Sequence, residues 1–122
     1  MRLVDRETFL KLPSGTVYCK FPLNGNRDMS FMMTAPSIKG DTVAGIDFFT
    51  STLGEDFTPK GDADIFDTFF AMQHNLGVDV PFELSGGRDG MFDDESVGFM
   101  VFNKNEVSEM IDELKECLEK AY

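Results

Sequence analysis

Residues 97–102 (VGFMVF) are apolar or glycine at every position. Neighbouring side chains of a β-strand point to opposite faces of the sheet, so a strand with this composition has to be covered on both faces. Such a strand lies inside a sheet, with other strands on either side of it. The segment therefore predicts a fold built around a sheet whose interior holds residues 97–102.

Alternating apolar and polar residues predict the other strands of this sheet. The predicted segments are residues 16–21, 29–34, 44–50 and 78–84. Pro81 has no N–H group to donate, so the last of these segments is expected at an edge. We expect residues 36–40 to end a strand and residues 54–61 to form a loop.

Three helices are predicted from their capping residues. Asp5 is suited to cap a short helix over residues 6–12, and Asp62 is suited to cap a helix over residues 63–76 that ends at Gly77. Asn103, followed three residues later by Glu106, resembles a capping box that opens a C-terminal helix.

Strands separated by turns, with helices near both ends and in the middle, predict an α+β fold in one domain, residues 1–122. We expect an antiparallel sheet of about five strands with helices packed on one face. The C-terminal helix is one of them, with an apolar stripe formed by Val107, Met110, Ile111, Leu114, Leu118 and Ala121.

The chain is strongly acidic, with a net charge of −11, and the charge is unevenly distributed. Residues 1–40 carry a net charge of +3, whereas residues 41–122 carry −14. A field of this sign repels nucleic-acid phosphates and favours partners with a basic surface. We therefore expect no direct nucleic-acid binding. The alternative is that the charge only keeps a Phe-rich protein in solution.

The exposed side of the C-terminal helix carries much of this charge. The partner-binding candidates on it are Glu109, Asp112, Glu113 and Glu116. Like charges four residues apart destabilise a helix slightly, and acids near its C-terminus oppose the dipole. A helix destabilised by its own surface suggests that the charge serves a basic partner, with solubility as the other interpretation.

The stretch SGGRDGMFDD, residues 85–94, is a second candidate site. Its glycines permit a turn that holds Arg88, which forms an ion pair with Asp89, Asp93 or Asp94 or else reads a carboxylate or phosphate. The adjacent carboxylates are also candidate ligands of a divalent cation. The calcium-loop pattern of the EF-hand is absent, so we expect no metal site.

An alternative phosphate site combines Arg88 with two basic residues of the first third, Lys20 and Arg27. These residues would meet across an oligomer interface. Tyr18 or a phenylalanine would then stack on a base of the ligand.

Catalysis receives little support from the sequence. No hydrolase, metalloprotease or phosphate-loop pattern occurs, and His74 is the single histidine. We expect His74 to lie at a helix boundary, and Cys19 and Cys117 to act as small apolar residues. No catalytic residue and no cofactor is predicted.

Phenylalanine is abundant, with 13 residues and no tryptophan. The wide apolar arc predicted on the second helix exceeds what one sheet face covers. We therefore expect a homo-oligomer that buries the remainder. The chain has no apolar run long enough to span a membrane, no signal sequence and few cysteines, so we expect a cytoplasmic protein.

Two segments resemble small accessory proteins of tailed bacteriophages and prophages. They are residues 4–18 (VDRETFLKLPSGTVY) and residues 87–93 (GRDGMFD), which recur in that order in the group. The resemblance implies a small protein made in a bacterial host cell. Proteins of this kind often bind and inactivate a host enzyme or defence component, or sequester a signalling nucleotide.

Two functional hypotheses follow. In the first, the chain is a non-enzymatic phage or prophage accessory protein that binds and modulates a host protein through an acidic surface. In the second, it binds a small phosphate-bearing ligand, such as a signalling nucleotide, through Arg88 and basic residues of the first third. A structural role in the virion is a third alternative.

Overall fold

The computed structural model describes residues 1–23, 35–61, 63–88, 93 and 95–122. In these ranges the elements follow in the order β1 (Arg2–Val4), α1 (Arg6–Leu10), β2 (Val17–Pro22), β3 (Ser37–Val43), β4 (Asp47–Thr52), β5 (Phe57–Pro59), α2 (Ile65–His74), β6 (Phe82–Leu84), β7 (Gly87–Arg88), β8 (Val97–Val101) and α3 (Lys104–Ala121).

The main sheet has six strands in the order β1-β8-β2-β3-β4-β7, and its pairings are antiparallel. β8 lies between β1 and β2, as its two-faced apolar composition predicts. The α+β class, the antiparallel sheet and the C-terminal helix are confirmed. The sheet has one strand more than expected, and β5 and β6 form a separate two-stranded sheet.

The core lies where α1 covers one face of the main sheet, called here the core face. The Asp5 carboxylate caps α1 by accepting a hydrogen bond of 2.8 Å from the Thr8 N–H, as predicted. This helix places Phe9, which is fully buried, parallel to Phe99 with ring centroids 3.9 Å apart. Tyr18 and Phe48 present tilted or edge-on rings to the same pair. Four aromatic rings therefore fix α1 on the sheet.

A lysine is buried beside this aromatic cluster. Only 1% of Lys39 is exposed, and its Nζ lies 5.9 Å from the centroid of the Phe9 ring. The Nζ donates to the Gly40 carbonyl and to Thr42 Oγ1, both at 3.0 Å. Burial lowers the pKa of Lys39, and the nearby Asp41 carboxylate offsets part of that effect.

Helix α2 is shorter than predicted and lies largely in solvent. It spans Ile65–His74 instead of residues 63–76, and Asp64 caps it by accepting from the N–H groups of Phe66 and Asp67. Asp62, the predicted cap, lies outside the described residues. No described residue of α2 is buried, and its Phe69 ring stacks on Phe82 of β6 at 5.9 Å.

The predicted strands differ from the observed ones mainly around β3. Residues 37–40, expected to be a break, belong to β3, while Ala44 and Gly45 turn the chain into β4 with φ of 55° and 73°. The strand predicted over residues 44–50 is therefore β4 at Asp47–Thr52. The one predicted over residues 16–21 is β2, shifted by one residue to Val17–Pro22. The strand predicted over residues 29–34 lies outside the described residues.

Two further strands form where loops were expected. β5 lies within residues 54–61 and pairs with β6, which occupies only the last three residues of the predicted strand 78–84. β7 lies within the stretch SGGRDGMFDD and pairs with β4 through Phe49 and Arg88. Both pairings join segments that are distant in the sequence.

Candidate protein-binding surface

Two residues, Phe102 and Asn103, separate β8 from helix α3, whose capping box is confirmed. The Asn103 side chain accepts from the Glu106 N–H at 2.9 Å, and the Glu106 carboxylate accepts from the Asn103 N–H at 2.9 Å. The same carboxylate forms an ion pair with the amino group of Met1. The hydrogen bond from that ammonium, followed by the one from Asn103, lowers the pKa of Glu106. These contacts fix the position at which α3 leaves the sheet.

The rest of α3 makes little contact with the sheet. Val107 and Met110 in its first half are partly buried, whereas every residue from Ile111 to Tyr122 is exposed. Leu114 and Leu118 are 64% and 63% exposed. The helix therefore presents most of its circumference to solvent.

Four carboxylates predicted as partner-binding residues lie on one side of α3. At about 100° per residue they occupy an arc of about 100°, called here the acidic face. It consists of Glu109, Asp112, Glu113 and Glu116, all exposed. One base enters this arc, because Lys120 Nζ lies 2.5 Å from a carboxylate oxygen of Glu116. The other charged residues in this arc of α3 are carboxylates.

A groove runs between α3 and the segment that joins β4 to β5. Its volume is about 860 Å³, and its walls include Leu53, Phe57, Met110 and Leu114. The carboxylate-bearing residue Glu113 also lines it. The groove therefore places an apolar floor beside the edge of the acidic face.

A second groove, of about 580 Å³, lies on the other side of α3. Val107 and Ile111 of the helix line it together with Val17 and the basic residues Arg2 and Lys104. The two sides of α3 thus differ in the sign of the charge at their grooves.

Arg88 lies at the far edge of the main sheet from β1. Its side chain is 58% exposed, and its Nε lies 3.9 Å from a carboxylate oxygen of Asp47, which is nearly buried. The adjacent Gly86 packs so closely on β4 that an added Cβ would lie 2.1 Å from the Thr50 carbonyl oxygen. This close approach holds the backbone next to Arg88 in place.

Lys20 and Asp93 meet on a different part of the sheet. Lys20 Nζ lies 3.0 Å and 3.2 Å from the two carboxylate oxygens of Asp93. Lys20 shares the core face with Tyr18, whereas Arg88 is directly opposite Phe49 on the other face. Strands β3 and β4 separate β2 from β7. Within one chain, Lys20 and Arg88 therefore do not form a single site.

Three predicted site residues, Arg27, Asp89 and Asp94, lie outside the described residues. Among the residues that the structure describes, no group of three or more His, Cys, Asp or Glu is arranged to hold a metal ion. In the same ranges, no helix combines the length and apolar character required to cross a bilayer.

The residues considered for catalysis occupy unremarkable positions. His74 is exposed at the last residue of α2. Cys19 is buried in β2, and burial raises the pKa of its thiol, which disfavours the reactive thiolate. Cys117 is exposed on α3.

Comparisons of the chain with protein-family models, with curated proteins and with solved structures gave no match.

The acidic face follows from the amino-acid sequence, whereas the grooves beside it do not. Phe57 lies within residues 54–61, which are expected to form a loop, and Leu53 lies just before them; both line the groove with α3. A local pattern carries no signal for a contact between segments so distant in the chain. The apolar stripe on α3 was visible in the sequence, whereas its exposure was not.

Proposed function

We propose that the protein is a non-enzymatic interaction protein whose acidic face on α3 binds the basic surface of a partner protein. The observation that carries this proposal is the exposure of α3, whose four carboxylates form one negative surface next to an apolar groove. Complementary charge steers such an encounter, and burial of apolar surface stabilises the resulting complex.

The resemblance of residues 4–18 and 87–93 to phage accessory proteins supports a setting for this activity. In that setting the partner is a protein of the bacterial host cell, and binding blocks or modulates what its basic surface does. A groove that normally holds nucleic acid is a target of suitable charge.

A pair of variants with equal net charge tests the proposal. The first neutralises the acidic face by Glu109→Gln, Asp112→Asn, Glu113→Gln and Glu116→Gln. The control removes four exposed carboxylates outside α3, by Glu55→Gln, Asp67→Asn, Asp79→Asn and Glu83→Gln.

Each protein is immobilised and exposed to lysate of the bacterial host at several salt concentrations. We expect that the wild type and the control retain a host protein at low salt and that the acidic-face variant does not. Equal retention by the two variants would show that only total charge matters, and the proposal would then be abandoned.

The second hypothesis, a phosphate-bearing small ligand, is favoured by one observation. The Arg88 guanidinium is exposed and only loosely paired with Asp47, beside the closely packed Gly86. A screen of nucleotides and cyclic dinucleotides by thermal shift, with Arg88→Ala as the control, separates this hypothesis from the first. A ligand that stabilises the wild type and the variant equally would exclude Arg88 as its site.

A further inference from the structure

The apolar residues of α3 follow a spacing that differs from the stripe of an ordinary surface helix. Val107, Ile111, Leu114, Leu118 and Ala121 succeed one another at intervals of four, three, four and three residues. This alternation is the seven-residue repeat of helices that pack along each other. The five residues are called here the apolar seam.

The seam is uncovered over most of its length. Ile111 is 48% exposed, and the exposure of Leu114 and Leu118 is higher still. At about 100° per residue, the six carboxylates of α3 lie at least about 100° from the centre of the seam. The positions that flank the seam are Ser108 and Lys115 on one side and Met110 and Cys117 on the other. Another helix can therefore pack on the seam without burying a carboxylate, while Glu119 and Asp112 lie just outside the margin formed by Ser108 and Lys115.

We propose that α3 pairs in antiparallel orientation with α3 of a second copy of the chain. In the register that places Ile111 opposite Leu114 of the second copy, Val107 faces Leu118. The C-terminal half of each α3, which is exposed in the single chain, then lies against the N-terminal half of α3 in the other copy. There the second groove adds Leu12, Val17 and Phe102 to the contact.

In this orientation, lysines at one margin of the seam lie beside carboxylates of the other copy. Lys104 of one copy comes beside Glu119 of the other, and Lys115 comes beside Asp112, each pair separated by about 3 Å along the helix axis. Arg2, which lines the same groove as Lys104, adds positive charge at that end. Because a two-fold axis relates the two copies, each of these contacts occurs twice. A parallel pair would place like residues opposite each other and lose these matches.

This inference does not rest on the proposed function, although the two share residues of α3. Asp112 belongs to the acidic face and also lies beside Lys115 of the other copy, and Leu114 belongs to the seam and also lines the first groove. Glu109, Glu113 and Glu116 stay in solvent in the dimer. A variant limited to Glu109→Gln, Glu113→Gln and Glu116→Gln keeps every contact of the dimer, so it should lose partner binding and remain a dimer.

The first test measures mass in solution across a concentration range from low micromolar to near millimolar. The wild type is expected to reach twice the mass of the chain, and the double variant Leu114→Glu, Leu118→Glu is expected to stay a monomer. Both leucines are exposed, so circular dichroism should show an unchanged fold. A matched control, Phe66→Glu with Phe70→Glu on α2, changes two equally exposed residues and should still dimerise.

The second test fixes the orientation. Met110 and Cys117 lie on the same margin of the seam and approach each other in the antiparallel pair. Oxidised Met110→Cys protein should therefore form a disulfide between residue 110 of one copy and Cys117 of the other. The wild type should not form a disulfide through Cys117 alone, because the two Cys117 residues are about 13 Å apart along the axis, beyond disulfide reach.

Three results would overturn the inference. They are a wild type that stays monomeric over the whole range, a dimer that survives Leu114→Glu with Leu118→Glu, and a disulfide that joins the two Cys117 residues in the wild type. A monomer whose seam variant loses a host partner would show that the seam serves that partner instead of a second copy.

Discussion

Phe9 illustrates how one residue organises this fold. A five-residue helix has few backbone hydrogen bonds of its own, so α1 depends on the contacts that its side chains make. Phe9 supplies them by stacking on Phe99 and meeting Tyr18 and Phe48. Lys39, at the edge of the same cluster, is a charged group that the fold buries with hydrogen bonds to compensate.

Replacing Phe9 with alanine should therefore destabilise the whole protein. The expected loss in the free energy of unfolding is about 3–5 kcal/mol, because the ring is fully buried. The control is Phe66→Ala, at a residue that is 70% exposed, with an expected change within about 0.5 kcal/mol. Urea denaturation measures both, and equal losses would refute the assignment of the core.

The burial of Lys39 should make the free energy of unfolding depend on pH. The pKa of Lys39 in the folded protein lies below the ordinary lysine value of 10.5, so between the two pKa values the unfolded chain binds more protons. Stability should therefore rise with pH through that window, and more so in the wild type than in Lys39→Met. Urea titrations of both proteins from neutral to alkaline pH measure the difference. Parallel pH profiles would contradict the burial of a charged lysine.

At the scale of elements, α1 and α3 differ in what holds them. α1 is fixed by packing, whereas α3 is fixed mainly at its first turn by Asn103, Glu106 and Met1. Asn103→Ala should destabilise the helix by about 1 kcal/mol. Amide exchange within Lys104–Ala121 should accelerate while exchange in β8 stays slow. Unchanged exchange in α3 would show that packing, and not the cap, holds the helix.

The Glu106 carboxylate makes the start of α3 sensitive to acid. In the folded chain the pKa of this carboxyl group is lowered from its ordinary value of 4.5. Its contribution to the stability of α3 is therefore complete above that value and is lost as the pH falls through the lower folded pKa. Helicity by circular dichroism should fall with acid more steeply in the wild type than in Glu106→Gln. Glu109→Gln, which changes a residue of the acidic face, should behave as the wild type does.

Elements set by local chemistry could be predicted from the sequence. The cap at Asp5, the capping box of α3 and the interior position of β8 each depend on a few neighbouring residues, and all three are confirmed. β3 was missed because Gly40 is typical of a strand break, although it lies in the strand, within the register shift between Lys39 and Thr42. β5, β6 and β7 depend on pairing between distant segments, which local patterns do not encode.

The candidate surface was predictable to a similar degree. The four carboxylates of the acidic face follow from helical periodicity, because side chains three and four residues apart share a face. That α3 is exposed from Ile111 onwards depends on the whole architecture, which helical periodicity does not encode. The sequence predicts that Arg88 pairs with Asp89, Asp93 or Asp94 or else binds a carboxylate or phosphate. In the structure Arg88 is near Asp47 and Asp93 is near Lys20, while Asp89 and Asp94 lie outside the described residues.

For the whole molecule, the structure separates a packed part from an exposed one. The main sheet with α1 holds the buried residues of the core, while α3 offers an acidic face on one side and an apolar seam on the other. A helix so exposed adds little to the hydrophobic core, which is consistent with a role in binding. We propose that the charge on α3 recognises a basic protein.

The salt dependence of partner binding tests that claim most directly. The dissociation constant of the captured partner is measured at increasing ionic strength for the wild type, the acidic-face variant and the control of equal net charge. Screening weakens interactions between exposed charges, so the wild type and the control should lose affinity steeply as salt rises, and the acidic-face variant should bind weakly with a shallow dependence. Binding that does not respond to salt, or equal slopes for the two variants, would contradict the account.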